Sequence, residues 1–278
     1  MPDEKEFKSL QKEIKILKKK LNRSEANRIT LEEMWDRNSR LFETFNQEIE
    51  KQRELIQQKS EQLEALATKL AKYLSPQVYN SIFSGEREVK IETYRKTLTI
   101  FFSDIVGFTS QSEEMDTNEL SLWLNQYLDR MAEIAIRYEG TLDKFIGDAV
   151  MVFFGDPTSE GEKKDAFNCV SMAMAMRQEA KNLGIKIRIG INTGECTVGN
   201  FGSESRMEYT VIGAPVNLAS RLESNSKPGQ ILISDATYDL IGNFVQCEER
   251  ELIKVKGIDR DLKTYWVTQD LLAAETQA

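Results

Sequence analysis

The chain has 278 residues, 40% of them apolar, with three cysteines, no histidine and a net charge of −8. That content supports a sizeable core in one or two domains, and no apolar run of about 18 residues is present to span a membrane. The absence of histidine excludes Ser-His-Asp and Cys-His nucleophilic systems and histidine-ligated metals, and Cys169, Cys196 and Cys247 are too scattered for a disulfide framework or a zinc site.

The first 73 residues contain no glycine and no proline after Pro2, and they read as one long helix. The opening Met1-Pro2-Asp3-Glu4-Lys5 has neither the charge pattern nor the apolar stretch of a signal peptide, so a cytoplasmic protein with free thiols is expected. From Leu10, alternating steps of four and three pass through Ile14, Leu17 and Leu21 and end on Leu63, Leu66, Leu70 and Tyr73 without losing phase. A repeat of about 3.5 residues predicts a left-handed coiled coil, and Asn38, Gln52 and Lys59 in the seam would fix register and a two-stranded, parallel state. Residues 1–74 carry 16 basic and 14 acidic side chains; the remainder carries 21 and 31. Nucleic acid, which needs a basic surface, is therefore not an expected partner.

Residues 75–96 read as a linker, with Ser75 and Pro76 starting a short helix that Gly85 can end, followed by a charged connector from 86 to 96. From Thr97 the pattern becomes α+β. A strand is predicted at 97–103, a helix at 116–138 capped by Asp116 or Thr117, and a hairpin of 141–146 with 150–154 around Gly147-Asp148. A second helix follows at 163–183, where Met172, Met174 and Met176 read as core filler. Strands at 186–192 and 197–201 flank a turn at Thr193-Gly194-Glu195. Then come a strand at 209–212, a helix at 216–224, a strand at 231–234, a short helix at 236–241 and a last strand at 263–267, before a tail at 269–278. This is a ferredoxin-like β-α-β-β-α-β core with extensions.

Two carboxylates stand out. Asp104 ends a strand that runs into a glycine turn, and Asp148 sits in a hairpin turn. Singly, each is an ordinary turn residue; together, beside the free backbone N–H groups of Gly107-Phe108-Thr109, they suit a divalent cation and a triphosphate. Arg188, Arg221 and Lys256 are cations in apolar or small-residue settings, fit for phosphate or developing equatorial charge. Asn217 lies four residues before Arg221, on the same side of a helix, or else caps it. Lys144 can donate to adenine N1 while the hydroxyl of Thr210 accepts from the 6-amino group; guanine would call for a carboxylate at position 144.

As a set, these segments resemble the catalytic domain of class III adenylate/guanylate cyclases. The matching stretches are Phe102-Ser103-Asp104-Ile105-Val106-Gly107-Phe108-Thr109, Lys144-Phe145-Ile146-Gly147-Asp148, Arg188 to Gly194, Gly213 to Arg221, and Val255-Lys256-Gly257 with Leu262 to Tyr265. The resemblance spans roughly residues 95–268, with 97–268 as the catalytic domain. It implies that Asp104 and Asp148, with the Ile105 carbonyl, bind two Mg²⁺ or Mn²⁺, and that Lys144 and Thr210 select adenine. It further implies that Asn217 and Arg221 orient the ribose and stabilise the pentavalent phosphorus, and that Arg188 and Lys256 hold the triphosphate. Family sites lie at a head-to-tail dimer interface, so a homodimer converting ATP to 3′,5′-cyclic AMP and pyrophosphate is expected. Threonine at 210, where many members have aspartate, is similar to the subgroup that includes bicarbonate-responsive enzymes, which implies bicarbonate as an effector. An upstream sensor domain or partner acting through the coil is also expected. The competing readings are guanylate cyclase, a non-catalytic nucleotide-binding regulatory dimer, and a coiled-coil scaffold carrying an incidental domain.

Overall fold

The computed structural model describes residues 4–74, 78–79, 90–203, 205–253 and 262–268. Ser75, Pro76, Gly85, Lys256 and the tail at 269–278 fall outside them. The chain divides into two compact units, residues 1–70 and 71–278.

The first unit is a single helix, α1 (Glu4–Leu70), of 67 residues. At about 1.5 Å per residue it is roughly 100 Å long. Its seam lies open in the single chain: Leu17 is 62% exposed, Phe42 70% and Leu63 66%. Among the described residues no helix is long and apolar enough to cross a membrane.

The second unit is built on one eight-stranded sheet. In chain order its elements are β1 (Thr93–Ile105), α2 (Phe108–Glu114), α3 (Thr117–Arg137), β2 (Thr141–Ile146), β3 (Ala149–Phe154), α4 (Glu162–Asn182), β4 (Ile187–Ser203) and β5 (Arg206–Ile212). Then follow α5 (Ala214–Asn225), β6 (Ile231–Ser234), α6 (Asp235–Ile241), β7 (Cys247–Ile253) and β8 (Leu262–Val267). The strand order is β2-β3-β1-β4-β6-β8-β7, with β5 paired to the far half of β4. Its first four strands have the ferredoxin-like order, with β1 antiparallel to both β3 and β4. The fold class expected from the sequence is the one observed.

Strand β1 is central, and its side chains alternate between two apolar layers. Phe101 and Ile105 join the core formed with α3 and α4, where Met172, Met174 and Met176 are buried as filler. Leu98, Ile100 and Phe102 join a smaller core on the other face with Ala219 of α5. Helix α3 starts at an Asp116 cap, whose carboxylate accepts from the amides of Asn118 (2.8 Å) and Glu119 (3.0 Å).

Three expectations change. Strands 186–192 and 197–201 are one continuous strand, β4, with no turn at Thr193-Gly194-Glu195. Residues 93–96, expected in the connector, extend β1 by pairing with Cys196–Gly199; their side chains are mostly exposed, so backbone pairing rather than burial puts them in the sheet. The glycine turn expected after Asp104 is present and opens into the short helix α2 at Phe108. Strand β7, of largely charged sequence, was not foreseen.

Candidate active site

Strand pairing sets the geometry of the first cluster. In the β1–β4 ladder Asp104 lies opposite Arg188. The Arg188 guanidinium forks onto the Asp104 carboxylate, with Nε donating to Oδ1 at 3.0 Å and an Nη donating to Oδ2. This bond is the main cause that raises the Arg188 pKa. Gly147, at φ 65°, turns the β2–β3 hairpin so that Asp148 points back at the end of β1. Its Oδ2 accepts from the amide of Ile105 at 2.9 Å. The two aspartates, 44 positions apart, thus converge one peptide unit from each other. Burial raises the Asp148 pKa, and repulsion from Asp104 adds to it, while the Ile105 bond opposes both.

Glu223, which the sequence reading did not single out, completes this cluster. It is buried at 7% exposure on α5, and its Oε1 lies 3.2 Å from Arg188 Nε as an ion pair. Burial first, then the neighbouring Asp104, raises its pKa. Its one sequence signal is helical spacing: it follows the buried Ala219 by four positions.

The second cluster joins β2 to β5. Thr210 donates its hydroxyl hydrogen to Asp143 Oδ2 at 2.9 Å. Lys144 lies 3.9 Å from the same oxygen and also binds the Glu208 carboxylate. The structure therefore brings Lys144 and Thr210 together through Asp143, a residue sequence reasoning missed.

Asn217 and Arg221 lie on α5 one turn apart. Asn217 is no cap, because Gly213 occupies that position and Pro215 opens the helix. Asn217 is exposed and Arg221 half-buried; among the described residues neither side chain has a hydrogen-bond or ion-pair partner. Gly107 is the residue before α2, in the left-handed conformation, and Phe108 stacks on Trp123 with centroids 6.3 Å apart. Thr109 accepts from Ser112 Oγ through its carbonyl at 2.8 Å. Lys256 lies outside the described residues.

The donor set fits a hard divalent cation. Among the described residues no group of three or more acidic, cysteine or histidine side chains is gathered as a ligand cage. Two converging carboxylates are the number Mg²⁺ takes when phosphate oxygens complete its shell. A cation there would also relieve the desolvation and like-charge repulsion that raise the Asp148 pKa.

Comparison with known proteins bears on the family of the chain. A family described as "Adenylate and Guanylate cyclase catalytic domain" matches residues 89–269. The chain is 40% identical over 160 residues to an adenylate cyclase, terminal-differentiation specific, of Dictyostelium discoideum, a match covering 54% of this chain and 7% of that protein. It is 37% identical over 183 residues to guanylate cyclase 32E of Drosophila melanogaster, covering 62% of this chain and 15% of that one. It therefore spans only a small part of these relatives. Among solved structures, the adenylyl cyclase CyaB from P. aeruginosa is 53% identical, with a TM-score of 0.64 over 65% of this chain and 97% of that one. The guanylyl cyclase Cya2 is 38% identical, with a TM-score of 0.60 over 65% and 95%.

Proposed function

Because the chain belongs to the adenylate and guanylate cyclase catalytic family, we propose that it converts ATP to 3′,5′-cyclic AMP and pyrophosphate, at sites shared between two copies of the chain. The observation that carries the reading is the convergence of Asp148 on the amide next to Asp104. Asp104 and Asp148, with the Ile105 carbonyl, would hold two Mg²⁺ or Mn²⁺. Bound there, such ions would lower the pKa of the attacking hydroxyl and neutralise phosphate charge.

The reaction is intramolecular: the ribose 3′-oxygen attacks the α-phosphorus in line, one P–O bond forms, another breaks, and pyrophosphate leaves. Without histidine, the 3′-hydroxyl proton passes to Asp104 or to solvent. Asn217 orients the ribose, and Arg221, without an ion-pair partner among the described residues, is available for equatorial charge on phosphorus. Arg188 exchanges its fork on Asp104 for the triphosphate, a role shared with Lys256 and the 107–109 amides.

Choice of base rests on Lys144 and Thr210. The Thr210 hydrogen goes to Asp143, so its lone pairs face outward as acceptors, which suits the adenine amine. One observation favours GTP instead: Glu208 sits beside Lys144 with its carboxylate 55% exposed, an acceptor for guanine N1–H. Competition between the two nucleotides separates these readings.

The site requires two chains because one protomer would supply the metal aspartates and its partner the base-reading and phosphorus-stabilising residues. The open seam of α1 supports a parallel coiled coil in the same homodimer. Through it an upstream sensor or partner would act, and bicarbonate would be a small-molecule effector. The test is purified protein with Mn²⁺–ATP and detection of both products. Asp104→Ala is expected to abolish turnover; retained product would remove Asp104 from the metal role.

A further inference from the structure

A bulge interrupts the β2–β3 ladder. Leu142 pairs with Val152 and Lys144 with Met151, so Asp143 is the extra residue on its strand. Such insertions re-aim side chains. Here the result is that consecutive residues, Asp143 and Lys144, both reach toward β5 instead of taking opposite faces. The Asp143 side chain is fully buried. One of its oxygens takes the Thr210 hydrogen, and the other, Oδ1, has no hydrogen-bond partner among the described residues.

An enclosed carboxylate with a half-empty set of acceptors is costly. The adjoining β3 residues Met151 and Val152 are apolar and have no side-chain donor to offer it. What it does on this geometry is fix a proton. A threonine hydroxyl is a rotor that can donate or accept, and so by itself separates adenine from guanine poorly. A buried, ionised acceptor at 2.9 Å removes that freedom.

We propose that Asp143 is a positioning residue for purine selectivity: it holds the Thr210 hydroxyl as an obligate acceptor and steadies the Lys144 ammonium beside it. The inference rests on the reading of Lys144 and Thr210 as base-contacting residues. The charged groups acting on Asp143 are Lys144 from its own strand and Glu208 from β5. Burial pushes its pKa up to about 6, against the lowering effects of Lys144 and the Thr210 bond, with Glu208 adding repulsion. It is therefore largely ionised at neutral pH. When protonated, it can donate to Thr210 and turn that hydroxyl outward as a donor, the polarity that guanine O6 accepts.

The experiment measures kcat/KM for Mn²⁺–ATP and Mn²⁺–GTP with the full chain and its variants. Asp143→Leu, similar in shape but with no acceptor, should lower the ATP-to-GTP ratio about tenfold, the worth of one hydrogen bond. Asp143→Asn, which keeps an acceptor oxygen, should hold the ratio within about twofold of the parent. Thr210→Val should lower it as far as Asp143→Leu, and the double variant should go no further. If Thr210→Val lowers the ratio and Asp143→Leu does not, or if Asp143→Leu depresses both substrates equally, the inference is overturned while the base reading stands. If Thr210→Val leaves the ratio unchanged, the base reading falls and the inference with it. Should the Asp143→Leu chain not fold, the unmodified protein still decides: the ratio should drop as pH falls from 7.5 through about 6, and a flat profile overturns the inference.

Discussion

Gly190 lies on β4 where α5 crosses it, and a methyl group there has nowhere to go. An ideal Cβ would sit 2.0 Å from the Glu223 amide nitrogen and 2.4 Å from the Ala219 carbonyl oxygen. Both are backbone atoms, so no rotamer change relieves the overlap. Restoring ordinary contact at about 3.5 Å requires α5 to retreat by about 1.5 Å. That movement loosens Ala219 and Leu222, both fully buried, from the core beneath. Overpacking costs about 1–3 kcal/mol when side chains can adjust, and Gly190→Ala should reach the upper end, about 3 kcal/mol. The same helix carries Asn217, Arg221 and Glu223. A displacement of about 1 Å in positioning groups can cost about 100-fold in rate. The stability arm is urea unfolding followed by tryptophan fluorescence, to which Trp123 and Trp266 contribute from the 71–278 unit. The rate arm is cyclase turnover under conditions where circular dichroism shows the folded state. A loss below about 0.5 kcal/mol with turnover within threefold would refute the claim that helix-to-strand contact at Gly190 sets the position of α5.

Lys144→Glu should lower kcat/KM for ATP by about tenfold or more relative to GTP, since it replaces a donor to N1 with an acceptor; an unaltered preference in a two-nucleotide competition removes Lys144 from base reading. The raised pKa of Asp143, from an ordinary 3.8 to about 6, means that the protonated acid is the form the fold favours. Its stabilising contribution is full below 3.8 and is lost as pH rises through 6; at about 1.4 kcal/mol per pH unit this is worth up to about 3 kcal/mol. Asp143→Asn should therefore gain stability over the parent at pH 7.5 and lose most of that gain at pH 4, and an equal difference at the two pH values would refute the assignment. In α1, a four-residue insertion between 40 and 72 shifts the heptad phase while a seven-residue insertion preserves it. The first should change the cyclase rate and the second should not, and equal rates would argue against coupling between coil and catalytic unit.

What the sequence disclosed follows from what a linear pattern can encode. Heptad phase in 1–73, alternation in 97–103 and the apolar runs around Gly147-Asp148 are local, so α1, β1 and the hairpin were legible within a few residues. The pairing of Asp104 with Arg188 was not, because it depends on the register of two strands 84 positions apart. The turn expected at Thr193-Gly194-Glu195 shows how a local signal misleads. Gly194 is compatible with a turn, yet a Cβ there would lie 2.8 Å from the Pro215 ring. Close packing of α5 on an unbroken strand is reason enough for a small residue at that point. Strand β7 was missed because Cys247-Glu248-Glu249-Arg250 has no apolar alternation; its pairing with β8 is by backbone.

The carboxylates that were missed have a common reason. Period-two alternation assigns a residue to a face only while the count is unbroken, and the extra residue at 143 breaks it where the side chains matter. Nothing in Leu142-Asp143-Lys144 marks the bulge, so Asp143 reads as a solvent-facing neighbour of a functional lysine. Glu223 is disguised in the opposite way: it occupies a core-facing position of an amphipathic helix, where a carboxylate looks like an error until Arg188 and Asp104 are brought against it. Both are cases in which an acid is buried at a cost that packing alone does not explain. In both, the compensating partner arrives from a different element of the fold, which is why the site's supporting shell became visible only in three dimensions.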